Sequence, residues 1–424
     1  MSQTRRVFLG YAVAVTARGA NDKVNAAIIG MGGRGSDHID AFLKQPNVRL
    51  AAVCDVDQAA VERAQAAVLK AAGYKPKAYA DMRDAFADKE VDVVSVATPN
   101  HWHALTTIWA LQASKDVYVE KPASYSPWEG DRMIEAARKY NRIVQVGIQS
   151  RSMPHKRRAV EMLSQGAIGE VFQGRALVYK RRKSIGHRPD TPVPAGVDWD
   201  RFLGPAPMRP FNELRFKYNW HWFWDTGNGE IGNNGPHQLD VARWGMNLGI
   251  SQSTISTGGK YVYHDDQETP NTQTATYTYG DKEIVCDVRG FPTGGEGSLE
   301  PSNGVLCANI FFGSDGYLAL DDDAFRIFKG GKLELEVRAE PGDDTAPHFA
   351  NFMKAVRSRN VRDLNADIEQ GVLSTNLCHF GNISYKLKRM VRYDSAAHRF
   401  VNDAEADRML TRVYRAPYVV PAQV

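Results

Sequence analysis

The chain has 424 residues, 43% hydrophobic and 24% charged, a balance that suits two or three folded domains with substantial cores. The net charge is only +4, with no long basic run and no zinc-ligand spacing, which argues against a nucleic-acid partner. The four cysteines, Cys54, Cys286, Cys307 and Cys378, form no CxxC pair, so neither a disulfide framework nor a metal site is expected.

At the N-terminus, Thr4-Arg5-Arg6-Val7-Phe8-Leu9 precedes a short apolar run from Gly10 to Ala17. The pattern matches a twin-arginine export signal over residues 1–20 and predicts a periplasmic protein exported in folded form. The alternative is a frayed basic tail on a cytoplasmic protein. No other stretch approaches the roughly 18 apolar residues of a membrane span, so no membrane partner is expected.

A strand over 24–29 runs into Gly30-Met31-Gly32-Gly33-Arg34-Gly35, with a helix expected from about Ser36. In this setting Gly30 permits the tight turn, Gly32 lets backbone approach a pyrophosphate, and Gly35 lets helix pack on strand. The next strand, 48–54, ends at Asp55, twenty residues after Gly35. A carboxylate there accepts from ribose hydroxyls and repels a 2′-phosphate, which favours NAD over NADP. Asp57 is the better N-cap for a helix over 58–72. A strand over 77–79 and a helix over 81–88 follow.

Residues 91–97 are apolar and read as a strand buried on both faces. A helix over 103–113 and a strand over 116–119 complete a βαβ unit, whose strands must be parallel. Ligands of such sheets bind outside the carboxyl ends of the strands. Those ends carry Thr98-Pro99-Asn100-His101-Trp102-His103 and Glu120-Lys121-Pro122. A helix over 127–140 and a strand over 143–147 finish a doubly wound dinucleotide-binding domain, 21–150.

The second domain, 151–395, opens with an amphipathic helix over 155–165 and a strand over 171–179. Residues 181–210 are basic and rich in Pro and Gly, hence irregular. The cluster Tyr218, Trp220, Trp222, Phe223 and Trp224 leads through a Gly- and Asn-rich stretch to His237 and a helix over 237–246. Between 252 and 339, short alternating runs (273–279, 284–289, 310–312, 325–328) predict a mainly antiparallel sheet. Helices over 348–357 and 368–389 follow, and 396–424 reads as a tail.

Four of these motifs together resemble the glucose–fructose oxidoreductase/inositol dehydrogenase/MocA (Gfo/Idh/MocA) family. They are Gly30-x-Gly32-x-x-Gly35, Thr98-Pro99-Asn100-His101-x-His103-Ala104, Glu120-Lys121-Pro122 and Gly235-x-His237-x-x-Asp240. The resemblance runs from about Val24 to Arg389. It implies an α/β architecture: an N-terminal doubly wound Rossmann domain, then a C-terminal α/β domain with a large, mainly antiparallel open sheet. Such sheets often serve as oligomer interfaces, so a homodimer or homotetramer is expected. It also implies NAD held by Gly30, Gly32, Gly33, Arg34, Gly35, Asp55, Thr98, Asn100, His103, Glu120 and Lys121.

On the substrate side the resemblance points to Gln149, Arg151, Trp222, Asn233 and His237. It puts Lys121 near both the nicotinamide ring and the substrate hydroxyl, and makes His237 the usual proton acceptor. The chemistry asks for these residue types: hydride removal from a carbinol needs a base near neutrality, and an ammonium stabilises a developing alkoxide. His101 reads as a structural hydrogen-bonding residue. Trp220, Trp222 and Trp224 are either core or an aromatic wall for sugar C–H faces. One position departs: the family often has Asp four residues before the histidine, and here it is Asn233. A neutral amide can orient His237 but cannot raise its basicity.

Three functions follow as expectations. The first is an NAD-dependent oxidoreductase acting on a ring hydroxyl of a carbohydrate. The second is a redox-assisted glycoside hydrolase, in which transient oxidation acidifies a neighbouring C–H, the aglycone is eliminated, water adds, and hydride returns. The export signal and Asn233 lean towards this second reading. The third, from another class, is a non-catalytic NAD-loaded sugar-binding protein.

Overall fold

The computed structural model describes residues 23–340 and 346–424; the expected export signal lies outside them. The first part of the chain alternates strand and helix: β1 (Val24–Ile29), α1 (Gly33–Leu43), β2 (Val48–Cys54), α2 (Gln58–Ala72), β3 (Lys77–Tyr79), α3 (Met82–Ala87), β4 (Val93–Val96), α4 (His103–Gln112), β5 (Asp116–Val119), α5 (Pro127–Lys139) and β6 (Val144–Val146). The strands form one sheet in the order β3-β2-β1-β4-β5-β6, with every pairing parallel. β4, β5 and β6 are buried at every residue, which is why they read as mostly apolar, with only Ser95, Asp116 and Gln145 interrupting. Strand order reverses between β1 and β4, and a crevice at such a switch point is where ligands of open α/β sheets bind.

Local chemistry sets several boundaries. Asp57 caps α2 by accepting from the Ala59 N–H, and Gly73 in the left-handed region closes the helix. α1 begins at Gly33, earlier than Ser36, and no side chain caps it.

The second part comprises α6 (Pro154–Ser164), β7 (Val171–Lys180), α7 (Trp199–Leu203), α8 (Gly229–Asn233), α9 (Gly235–Gly245), β8 (Ser253–Gly259), β9 (Thr272–Tyr279), β10 (Lys282–Arg289), β11 (Val305–Gly313), β12 (Tyr317–Leu320), β13 (Ala324–Lys329) and β14 (Lys332–Arg338). After α10 (Ala346–Ser358) and α11 (Ile368–Leu387), β15 (Val391–Asp394), β16 (Arg399–Phe400) and α12 (Ala404–Arg408) complete the elements. Ten strands make one sheet, β14-β13-β12-β11-β7-β10-β9-β8-β15-β16, antiparallel except where β7 meets β10.

The chain beyond the large sheet returns to the small one. Phe349 of α10 stacks on Tyr118 of β5 at 4.2 Å, and Phe352 is buried in the same core. α11 serves both cores, with Ile368 and Val372 in the first and Leu377 and Cys378 in the second. Residues 396–424 pack as well: Tyr418 and Val420 are buried in the first core, with Tyr418 edge-on to Trp102 at 5.3 Å.

Candidate cofactor and substrate site

A cavity of about 930 Å³ runs past the carboxyl ends of β1, β2, β4 and β5. Its wall includes Gly30 to Arg34, Asp55, Thr98, Asn100, His103, Glu120 and Lys121 from the first sheet, and Lys180, Tyr218, Trp220, His221 and Asn233 from the second part. Of the residues expected around NAD, only Gly35 is set back from this wall.

The reason for Gly35 is steric. A Cβ there would lie 1.9 Å from the Gly30 carbonyl oxygen, so the glycine is what lets α1 meet β1. Gly30 has φ +89°, and a Cβ on it would strike the Ala97 backbone at 2.7 Å. Gly32 and Gly33 face open space, and a Cβ on either would have no neighbour within 4 Å. With no side-chain cap, the first-turn N–H groups of α1 remain available to an anion at this helix N-terminus. Asp55 Oδ2 accepts from the Met31 N–H at 2.5 Å and Oδ1 from the Asp57 N–H at 2.9 Å, so this carboxylate braces the glycine loop. Burial pushes its pKa up. Each carboxylate oxygen retains a further acceptor site for a ribose hydroxyl. Thr98 Oγ1 is buried on the same wall with no hydrogen-bond partner among the described residues. These features fit a bound dinucleotide.

At the β5 tip, Glu120 Oε1 accepts from Arg34 Nε at 2.8 Å and from Gln149 Nε2 at 3.3 Å, with His38 Nε2 at 3.1 Å. His38 Nδ1 lies 2.8 Å from Ser95 Oγ. Burial opposes the charge on Glu120, but Arg34, then His38 and Lys121, outweigh it and hold the carboxyl well below its usual range. The other oxygen accepts from the Lys121 N–H at 3.2 Å. The Lys121 ammonium donates to the Asn233 carbonyl at 2.9 Å and to Asn233 Oδ1 at 3.4 Å. Burial lowers the Lys121 pKa; Arg34 and Lys180 push the same way against Glu120 and Glu230. His103 links the two motifs, with Nδ1 2.6 Å from the Pro122 carbonyl and Nε2 2.8 Å from that of Thr98, and burial lowers its pKa.

The pattern of an oxidoreductase family with an NAD-binding Rossmann fold matches residues 24–148, and that of its C-terminal α/β domain matches 180–290 and 315–420, together most of the chain. The chain belongs to the Gfo/Idh/MocA oxidoreductase family. Its cofactor is therefore NAD, held by the first sheet. A glycosyl hydrolase family 109 protein of Shewanella sp. (strain W3-18-1) is 28% identical over 175 residues, 39% of this chain and 38% of its own length. An alpha-N-acetylgalactosaminidase of Shewanella oneidensis is 28% identical over 173 residues, again 39% and 38%. The match thus spans about two fifths of the curated relatives. Among solved structures, the WlbA dehydrogenase from Bordetella pertussis, in complex with NADH and UDP-GlcNAcA, is 18% identical with TM-score 0.65, covering 88% of this chain and 99% of that one. A levoglucosan dehydrogenase, in complex with NADH and levoglucosan, is 16% identical with TM-score 0.68, covering 88% and 99%. These two share the fold.

Several of the expected substrate residues are placed elsewhere. Arg151 forms a two-pronged ion pair with Asp240, at 2.7 and 2.9 Å, and is buried outside the cavity wall. Gln149 is spent on Glu120 and on the Tyr118 hydroxyl at 3.1 Å. Trp222 is 4% exposed and packs under the Arg182 guanidinium, so of the three tryptophans Trp220 is the one on the wall. Asn233 does not orient His237; it holds Lys121 and donates to the Tyr218 hydroxyl at 3.3 Å. His237 is half-buried and absent from the wall, and burial, followed by Lys121, pushes its pKa down to about 3. A base poised near neutrality is not what this environment makes. His101 is structural, its Nε2 lying 2.9 Å from the Phe202 carbonyl.

Tyr218, His221 and Lys180 also line the cavity, although no motif marks them as site residues. The aromatic cluster includes the first, and His221 lies within its span. Nothing in the spacing distinguishes a wall residue from a core one, because the segment is irregular.

Proposed function

We propose that this protein is an NAD-dependent oxidoreductase that removes hydride from a ring hydroxyl carbon of a sugar or sugar derivative. The observation that carries the reading is the Lys121 amine, held on Asn233 in the wall of the cavity that also contains the glycine loop. Bound NAD supplies the hydride acceptor. Gly30, Gly32, Gly33, Arg34, Asp55, Thr98, Asn100 and Glu120 hold and orient it. Lys121 Nζ holds the substrate hydroxyl and, in its neutral form, takes the hydroxyl proton, a role its lowered pKa favours. The negative Glu120 fixes the Lys121 backbone through its N–H.

A second reading is supported by the names of the curated relatives. In a redox-assisted glycoside hydrolase, the hydride removed at the start returns to the same carbon at the end, so the net reaction is hydrolysis. The N-terminal arginine pair supports export by the twin-arginine route to the periplasm, and the open ten-stranded sheet supports a homodimer or homotetramer. The test is a panel of free sugars and aryl glycosides, after measuring the nucleotide released on denaturation. Stoichiometric NADH with a free sugar is expected. Nitrophenol release without net NADH would transfer the assignment to the second reading. Bound NAD with no turnover of either class would leave a sugar-binding protein.

A further inference from the structure

His221 sits in the turn Asn219–Trp222 and lines the same cavity as Lys121 and Asn233. Its Nδ1 donates to the Tyr218 carbonyl at 2.5 Å, which fixes the tautomer and leaves the lone pair on Nε2. No other hydrogen bond engages the ring among the described residues. The ring stacks on Trp220, with centroids 3.6 Å apart and planes 19° from parallel. The backbone beneath it is built for close approach: a Cβ on Gly227 would lie 2.3 Å from the His221 carbonyl oxygen. Thr226 Oγ1 donates to the Trp220 carbonyl at 2.9 Å, and Asn228 is tied to Asn100 at 2.9 Å. A side chain held this firmly, with one nitrogen lacking a donor and a cavity before it, is equipped to receive a ligand's hydrogen bond.

Resting on the oxidoreductase reading, we propose that His221 Nε2 accepts a hydrogen bond from a substrate hydroxyl next to the one held by Lys121, and so selects a sugar with adjacent hydroxyls. The imidazole stays neutral across the working range, because burial, joined by Lys121 and Arg182, pushes its pKa to about 3. It acts by orienting substrate, not by taking the reacting proton.

The test uses the full chain and the best substrate found in the sugar and aryl glycoside panel. His221→Phe keeps an aromatic ring on Trp220 and removes the acceptor, whereas His221→Gln restores an acceptor oxygen. We expect His221→Phe to lower kcat/KM by about ten- to a hundredfold, mostly through KM, with nucleotide content and Tm unchanged. His221→Gln should recover part of the loss. A His221→Phe enzyme within about twofold of the parent on every substrate overturns the assignment, as does an equal loss in both variants accompanied by loss of bound NAD. A parent protein silent on the whole panel overturns the oxidoreductase reading and takes this one with it. A parent that turns over while His221→Phe is indifferent overturns only the role of His221.

Discussion

The tips of β4 and β5 and the segment 218–237 face one cavity but are built by different means. At the strand tips, each functional residue follows directly from a buried parallel strand, with His103 set between the Pro122 and Thr98 carbonyls and an ionised Glu120 holding Arg34 and the Lys121 N–H. Across the cavity, regular structure gives out: Tyr218, Trp220 and His221 are placed by ring stacking, by a glycine that admits backbone contact, and by ties to Asn100 and His101. The first wall is a property of the sheet. The second depends on individual side chains, so it is where a substitution can change substrate without unfolding the protein.

Arg151 offers the largest test of that distinction. If it belongs to the core, Arg151→Met leaves Asp240 buried without its full partner and costs about 3–5 kcal/mol of stability. Denaturant unfolding should register that loss, while kcat/KM per folded molecule stays at the parent value. A normal Tm with a raised KM would return Arg151 to the substrate. Lys121→Ala should act in the opposite manner, lowering kcat by about a hundred- to a thousandfold with bound NAD and Tm retained. Retained turnover would remove Lys121 from the chemistry altogether. The ties between the walls come next. Asn100→Ala strands the Asn228 amide oxygen and should cost about 1–3 kcal/mol. A double-mutant cycle with Asn228→Ala checks this, and additive effects would mean that the contact does not couple the walls.

What can be read from the sequence follows the same division. Asp57 as the cap of α2, Gly35 as a packing glycine and Lys121 at a strand tip are each dictated by backbone periodicity, so spacing alone locates them. Arg151 and Trp222 mislead because a charge or large aromatic near a motif looks the same whether it faces a core partner or a cavity. Only the long-range contacts with Asp240 and Arg182 decide the matter. Asn233 stands out as a departure, yet its partner is Lys121, which is 112 residues earlier in the chain. The return of α10 and of Tyr418 to the first sheet has no local signal, since neither segment carries a motif that names the surface it covers.

The remaining test concerns His101, which lies between the walls with Nε2 at 2.9 Å from the Phe202 carbonyl and Nδ1 at 3.3 Å from that of Thr226. Two carbonyls favour an imidazolium, whereas burial disfavours it, and burial prevails: the pKa falls from 6.5 to about 3. The folded ring is then neutral where the unfolded one is charged, so its contribution to stability is complete above about pH 6.5 and is lost as the pH falls towards 3. Across that window one such histidine adds a slope of about 1.4 kcal/mol per pH unit. Urea midpoints measured between about pH 7.5 and pH 4.5 should therefore fall more steeply for the parent protein than for His101→Gln, which cannot take up the proton. Parallel profiles would mean that His101 does not titrate on unfolding. A steeper fall in His101→Gln would mean that the two carbonyls hold a charged ring, and that the walls are joined by an ion rather than by a neutral hydrogen bond.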